Sequence, residues 1–289
     1  MTHMTHSKAW LHRVLPCNKL LVLAVIFLLF SAAAQSFDSQ ARKDTTNIFL
    51  MGETHDNAHG HKLRLESVMS LIAQGHRPVV VMEQFDRDSQ SALDLALTSC
   101  GDADCVLAKA ATPGWEWHFY KPFVQLAIEK KVTLLAANLS NVDVRKVMTQ
   151  GFSAVLSPQA IEAYQLDRIP LPLLNAQNKA IQEGHCNMLP AQAIGPMVQG
   201  QIARDVCMAS VINGVQNRMV VLIAGNGHVR KDAGVFQWLS PDKQKLTQVH
   251  GYVERADTSD ANWFDQVSIV PEVAREDPCL IFKRKPEKK

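Results

Sequence analysis

Pro78-Val79-Val80-Val81-Met82-Glu83 is the stretch on which the fold class turns. Four consecutive apolar residues, three of them β-branched, leave no polar face for solvent. Such a run reads as a strand covered on both sides, the condition of a parallel sheet. Ile48-Phe49-Leu50-Met51 before Gly52, Val132 to Ala136, and Met219 to Ile223 have the same character. Between these runs, apolar residues recur at spacings of three and four. Helices are therefore predicted at Leu63–Ala73, closing near Gly75, at Ser91–Leu97, and at Val142–Met148. A further helix is predicted at Phe123–Glu129 with Pro122 in its first turn. Strands alternating with helices predict an α/β fold: a mostly parallel sheet flanked by helices. Weaker late strands are predicted at Gln248–Tyr252 and Cys279–Phe282, and the basic run Lys283 to Lys289 reads as a solvated tail.

From Ser157 to Val215 the strand pattern stops. Ser157-Pro158 reads as a helix start, and helical segments follow near 158–168, 175–184 and 190–213. This block is expected to be a smaller, inserted, all-helical subdomain. The expected organisation is residues 35–156 and 216–289 as the α/β core, 157–215 as the helical subdomain, and 1–34 as a signal peptide.

The last expectation rests on the N-terminus. Arg13 and Lys19 precede the apolar run Leu20 to Phe30, and Ser31-Ala32-Ala33-Ala34-Gln35 supplies small residues at the A-x-A spacing. Eleven apolar residues are short for a membrane span, which needs roughly 20. Cleavage after Ala34 is favoured; an uncleaved anchor spanning Val14 to Ala34 is the competing reading. Over the whole chain of 289 residues, 30 basic and 28 acidic side chains leave no basic excess of the kind nucleic-acid binding needs. Hydrophobic residues at 47% and charged residues at 20% exclude wholesale disorder and a polytopic membrane protein.

Export places the cysteines in a disulfide-permissive compartment. Cys100 and Cys105 bracket a short loop, and Cys186 and Cys207 flank a helix-turn-helix stretch. Bridges Cys100–Cys105 and Cys186–Cys207 are expected, with Cys279 left over.

Ligands of open parallel sheets gather at the carboxyl ends of the strands. Three strand ends here carry polar groups: Gly52-Glu53-Thr54-His55, then Glu83, then Gly225-Asn226-Gly227-His228. Glu53, His55, Glu83 and His228 are expected to converge on one cleft, where carboxylate and imidazole suit a divalent metal or general-base chemistry. A hydrogen-bonded network bracing the loops is the alternative. Gln201, Arg204 and Asp205 share a helix face, so Arg204 is a candidate partner for an anionic ligand or for the strand-end glutamates. His59 and His61 read as exposed residues at a helix start. Trp115-Glu116-Trp117-His118-Phe119-Tyr120 reads as a core aromatic cluster, with a lining for a flat ligand as the alternative.

Taken in order, Gly52-Glu53-Thr54-His55, Val79–Glu83, Trp115-x-Trp-x-x-Tyr120, Ala136-Ala137-Asn138, His185-Cys186, Gln201-x-x-Arg204-Asp205-x-x-Met208-Ala209 and Ala224-Gly-Asn-Gly-His228-Val-Arg resemble the ChaN-like haem-binding uptake group of the Tiki superfamily. The likeness covers roughly residues 47 to 240. It implies an α/β core with a smaller helical domain, export, a role in haem or iron uptake at the outer membrane, and haem held between two subunits. It implies a tyrosine as haem-iron ligand. Tyr164 and Tyr120 are the candidates, with Tyr252 in a strand pattern behind them. The superfamily also holds hydrolases and metal-dependent proteases, whose motif maps onto Glu53, His55, Glu83 and His228. The expected function is an exported, non-catalytic haem-binding protein, acting as a homodimer with an outer-membrane haem-uptake partner. A metal-dependent hydrolase or protease with a divalent cation is the alternative. One departure matters. The only cysteine near the apolar leader is Cys17, which precedes it, so no lipoprotein attachment site follows and a periplasmic protein is expected, with membrane association as the variant. A second, minor one is Gly234-Val235-Phe236 where relatives often carry Gly-Val-Pro.

Overall fold

The computed structural model describes residues 48–255, 260–277 and 279–280, all within one unit, Thr45–Lys289. The signal-peptide expectation, the basic tail and the end of the Cys279–Phe282 strand lie outside the described residues. Cys279 and Leu280 themselves are not in a strand.

Among the described residues, six strands form one parallel sheet: β1 (Ile48–Met51), β2 (Val79–Asp86), β3 (Thr133–Asn138), β4 (Val220–Ile223), β5 (Thr247–Val253) and β6 (Gln266–Ile269). Their order is β3-β2-β4-β1-β5-β6, and every pairing is parallel. The apolar runs are explained by the two faces. Ile48, Leu50, Val79, Val81, Val220 and Leu222 join one core cluster. Met51, Val80, Met82, Val221 and Ile223 join the other. Side chains alternate across a strand, so a run with no polar position is what two covered faces demand.

One face is covered by α1 (Ala58–Ala73), α2 (Gln90–Ser99), α3 (Ala103–Ala110) and α4 (Trp117–Lys130), which supply Val68, Leu93, Ala96, Val106, Phe123 and Val124. After β3 come α5 (Asn141–Gln150), α6 (Pro158–Ala163), α7 (Leu171–Gly184) and α8 (Ala191–Gly214). Among these, α7 and α8 cover the opposite face through Leu173, Val198, Ile202 and Val206. The strandless block 157–215 thus shares a core with the sheet. Single-turn helices α9 (Asn226–Val229) and α10 (Pro241–Lys245) link β4 to β5, and α11 (Asp260–Trp263) precedes β6.

Two helices start earlier than their apolar spacing predicts. The Asn57 side chain caps α1 by accepting from the Gly60 N–H, so the helix begins at Ala58. That turns His61 inward: it is 4% exposed, stacks on Phe119 and bonds the His55 carbonyl, correcting its reading as a surface residue. Helix α4 begins at Trp117, so Pro122 lies inside it rather than in the first turn. Burial of Tyr120, Phe123, Val124 and Ala127 along one face offsets the hydrogen bond that proline cannot donate.

The disulfide reading is corrected in part. Cys100 and Cys105 are bridged, but Cys186 pairs with Cys279, at a Cα separation of 5.6 Å. Cys207 is a buried thiol in a small cluster with Leu139, Val144, Val147 and Ala203. The reason is helical phase. Helix α8 runs unbroken through Cys207 and turns it towards α5, whereas Cys186 stands in the α7–α8 turn, open to the C-terminal segment.

Candidate functional site

Strand β4 lies between β1 and β2, so its carboxyl-end loop passes between theirs. This is the crevice position of an open α/β sheet. Close approach is enforced by glycine. A Cβ on Gly52 would sit 2.2 Å from Asn226 Oδ1, and one on Gly225 would sit 2.9 Å from His55 Nε2. The Asn226 N–H donates to the Glu53 carbonyl at 2.9 Å, and its side chain donates to the Tyr252 carbonyl at 2.7 Å, tying three strand ends together.

Two polar networks meet there. The first surrounds Glu53, which is 3% exposed. Tyr120 Oη donates to its Oε1, Arg64 pairs with its Oε2, and His55 Nδ1 lies 2.7 Å from Oε1. Burial pushes the Glu53 carboxyl up, but Arg64 and then His55 reverse this and hold it below the usual carboxylate value. Burial opposes charge on His55, and the Glu53 hydrogen bond with the Glu83 and Glu53 charges outweighs it, so its pKa is raised. Burial and the adjacent Arg64 cation lower that of His61 to about 4, which keeps His61 neutral.

The second network centres on His228. Its Nδ1 is 2.6 Å from Asp205 Oδ1 and its Nε2 3.3 Å from Glu83 Oε1. Burial disfavours the imidazolium, yet Glu83 and Asp205 together raise its pKa to about 10. Glu83 also accepts from the Gly225 N–H at 2.8 Å. Gln177 of α7 donates to Asp205 Oδ2 and to the Ala233 carbonyl, both at 3.0 Å, bracing the network from the helical side.

Glu53, His55, Glu83 and His228, together with the candidate partner Arg204, lie at one edge but at two depths. His55, Glu83 and Arg204 line a cleft of about 260 Å³ with Asp86, Thr112, Trp115, Asn138 and Asn141. Glu53 and His228 lie beneath it, engaged by buried partners. Arg204 donates to Asn138 Oδ1 and Asn141 Oδ1, each at 2.7 Å, and pairs with neither glutamate. Among the described residues no group of three or more His, Cys, Asp and Glu side chains is arranged to hold a metal ion. Sequence reasoning missed Arg64 entirely. The available signal was a lone arginine on the face of α1 that also carries Gly60, His61 and Val68.

The tyrosines fall in different environments. Tyr120 is 1% exposed and its hydroxyl is committed to Glu53; burial and the Glu53 charge both oppose its ionisation. Tyr252 is buried and contacts Ser67 Oγ at 3.3 Å. Tyr164, at the end of α6, is half-buried and lines a cleft of about 460 Å³ with Pro170, Leu173, Asn213, Trp238 and Leu239. Asn213 precedes β4 and Leu239 precedes β5, so this cleft lies towards the amino edge of the sheet. Its volume is that of a small-molecule pocket, about 300–1,000 Å³. The Tyr164 oxygen accepts from Asn213 Nδ2 at 3.2 Å, and no protein acceptor for its proton occurs among the described residues. The buried Trp238 indole N–H is likewise without a partner there.

These features define a parallel α/β protein with a braced polar cleft at one sheet edge and a tyrosine-lined cleft at the other. The model of the family described as haem-binding uptake, Tiki superfamily, ChaN matches residues 41–239, and the chain belongs to that family. Among solved structures, that of cofacial haem binding to ChaN of Campylobacter jejuni is similar with a TM-score of 0.63 and 20% identity, covering 80% of this chain and 90% of that one. The erythromycin esterase EreC, in its open conformation, has a TM-score of 0.43 and 11% identity, covering 74% of this chain and 71% of that one. No curated protein matches.

Proposed function

We propose that the chain binds ferric haem through the Tyr164 phenolate, as an exported component of haem or iron uptake. The observation that carries this is the state of the Tyr164 oxygen: it lines a cleft, accepts a hydrogen bond, and keeps its own proton unclaimed. Ferric haem accepts an axial phenolate oxygen, and bound iron would supply the Lewis acid that takes the place of that proton. The cleft suits the group. Pro170, Leu173 and Leu239 offer apolar wall, and the unpartnered Trp238 N–H offers a donor for a carboxylate of the ligand. Tyr120 serves instead as a strut for Glu53.

Haems are cofacial in ChaN of Campylobacter jejuni. The same arrangement here would bring a second copy of the chain against the mouth of the cleft, where Leu171 is 72% exposed at the start of α7. The leader would be cleaved after Ala34 and the mature chain would work in the periplasm, handing haem to or from an outer-membrane partner. N-terminal sequencing of the exported protein checks the leader, with Gln35 expected first.

Haemin titration followed by absorption tests the ligand. Wild type, Tyr120→Phe and His55→Ala should develop the phenolate-to-iron charge-transfer band, and Tyr164→Phe should not. Retention of the band in Tyr164→Phe, or its loss in His55→Ala alone, would refute the assignment. Sedimentation with haemin should give a dimer.

A further inference from the structure

We infer that the carboxyl-edge cleft is a second ligand site, shaped for a free α-amino acid: Asp86 takes the ammonium, and Arg204 with Asn138 takes the carboxylate. The inference is independent of the haem reading, which concerns the cleft at the other edge of the sheet.

Its basis is a pair of opposite charges that face one cleft and do not meet. Asp86 and Asn138 end β2 and β3 and are partners in register, so their side chains stand on the same side of the sheet. Arg204 reaches them from α8. The Asp86 N–H donates to Thr112 Oγ1 at 3.0 Å, but its carboxylate has no hydrogen bond or ion pair among the described residues. Burial pushes the Asp86 pKa up and the Arg204 charge opposes this, so the two lie within electrostatic reach without pairing. Arg204 commits three of its five N–H groups to Asn138 Oδ1, the Leu139 carbonyl and Asn141 Oδ1, at 2.7, 3.1 and 2.7 Å. The others, Nε–H included, have no acceptor among the described residues.

Asn138 supplies the third point. It is 3% exposed, and its Oδ1 accepts from the Leu139 N–H at 2.9 Å as well as from Arg204. Two donors on that atom fix the orientation of the amide and leave Nδ2 without a partner among the described residues. A polar group in so buried a side chain is normally satisfied. An oxygen entering the cleft supplies what Nδ2 and Arg204 lack.

Charge selects the class of ligand. A simple carboxylate would satisfy Arg204 and Asn138 but set a further negative charge against Asp86 and Glu83. A simple amine would satisfy Asp86 and leave a cation facing Arg204. A zwitterion answers both walls, and an α-amino acid carries its two charges on one carbon, a separation short enough for a cleft of about 260 Å³. Glu83 is already engaged by His228 and the Gly225 N–H, which leaves Asp86 as the ammonium's partner. Pro113 and Trp115 form the wall left for the amino-acid side chain.

Isothermal titration of the purified protein with the common free L-amino acids tests this. At least one should bind. Its N-acetyl and carboxamide derivatives, each lacking one charge, should bind about 10-fold more weakly or worse, the size of a lost hydrogen bond to a charged group. Asp86→Asn and Arg204→Met should each weaken binding of the parent amino acid by a similar factor. Asp86→Asn disturbs no bond of its side chain and serves if Arg204→Met fails to fold. Saturating haemin should leave the affinity unchanged. Failure of every amino acid to bind, derivatives that bind as tightly as the parent, or wild-type affinity in Asp86→Asn would overturn the inference and leave the Tyr164 reading standing. Competition by haemin would overturn the separate site and count against Tyr164 as well.

Discussion

Arg64→Met removes a buried cation while keeping most of the side-chain volume. Arg64 is 0% exposed, pairs with Glu53, donates to His61 Nδ1 at 2.6 Å and lies 5.8 Å from the Phe123 ring centroid. Without it, the Glu53 carboxylate stays buried with Tyr120 and a half-exposed His55 as its closest partners. Breaking a buried pair from one side costs about 3–5 kcal/mol. A domain of this size loses roughly 2–4 °C of melting temperature per kcal/mol. Because His55 still compensates, the lower part of that range applies, a drop of roughly 10 °C. The pH dependence has a definite sign. In the wild type, the depressed Glu53 value contributes stability above the ordinary carboxylate value of 4.5, and this is lost as pH falls through the folded value. In Arg64→Met, burial dominates, the Glu53 value rises above the ordinary one, and protonation relieves the penalty. The deficit relative to wild type should therefore narrow between roughly pH 7 and pH 5. Thermal unfolding followed by circular dichroism at both pH values measures it, with Arg64→Met/Glu53→Gln expected to recover part of the loss at neutral pH. A loss under about 1 kcal/mol, or a deficit that widens on acidification, would refute the reasoning.

His228, raised to about 10 between two carboxylates, contributes stability that is complete below 6.5 and is lost as pH rises through about 10. The melting temperature should decline over that window, and His228→Gln should flatten the decline while costing about 3–5 kcal/mol at neutral pH; an unchanged slope would count against the network. Thiol titration of the denatured, oxidised mature protein should find one thiol, Cys207. Replacing both Cys186 and Cys279 by serine should cost about 2–4 kcal/mol, and a Cys186–Cys207 peptide in a non-reducing digest would contradict that pairing.

The parallel sheet was legible because it is written locally. Val79–Met82 and Val220–Ile223 have no polar position, and only a strand with two covered faces tolerates that. Glu53, Glu83 and His228 were legible for the same reason, since a parallel sheet puts the carboxyl halves of its strands on one edge whatever the strand order; the apolar run hid only that β2 continues past Glu83 to Asp86, so Glu83 lies inside the strand rather than just after it. Strand order itself was not in the pattern. It is what sets β4 between β1 and β2, and so what separates the Glu53–Arg64 pair from the Glu83–His228–Asp205 chain. Strand β6 escaped detection because it is a short edge strand, exposed at three of its four positions, and its two apolar residues, Val267 and Ile269, are too few to set a pattern. Arg64 and His61 escaped because a polar residue on a helix looks like surface until the groups that bury it, Phe119 against His61 and Phe123 beside Arg64, are brought in from another helix. The cysteines give the sharpest contrast. Cys100–Cys105 closes a loop that neighbours in sequence could only meet across. Cys186–Cys279 spans 93 residues, and its partner choice depended on the phase of α8 and the path of the C-terminal segment. Composition and periodicity determine which segments must be covered. Which segments cover them, and which polar groups then face each other, is fixed only when distant parts of the chain share one core.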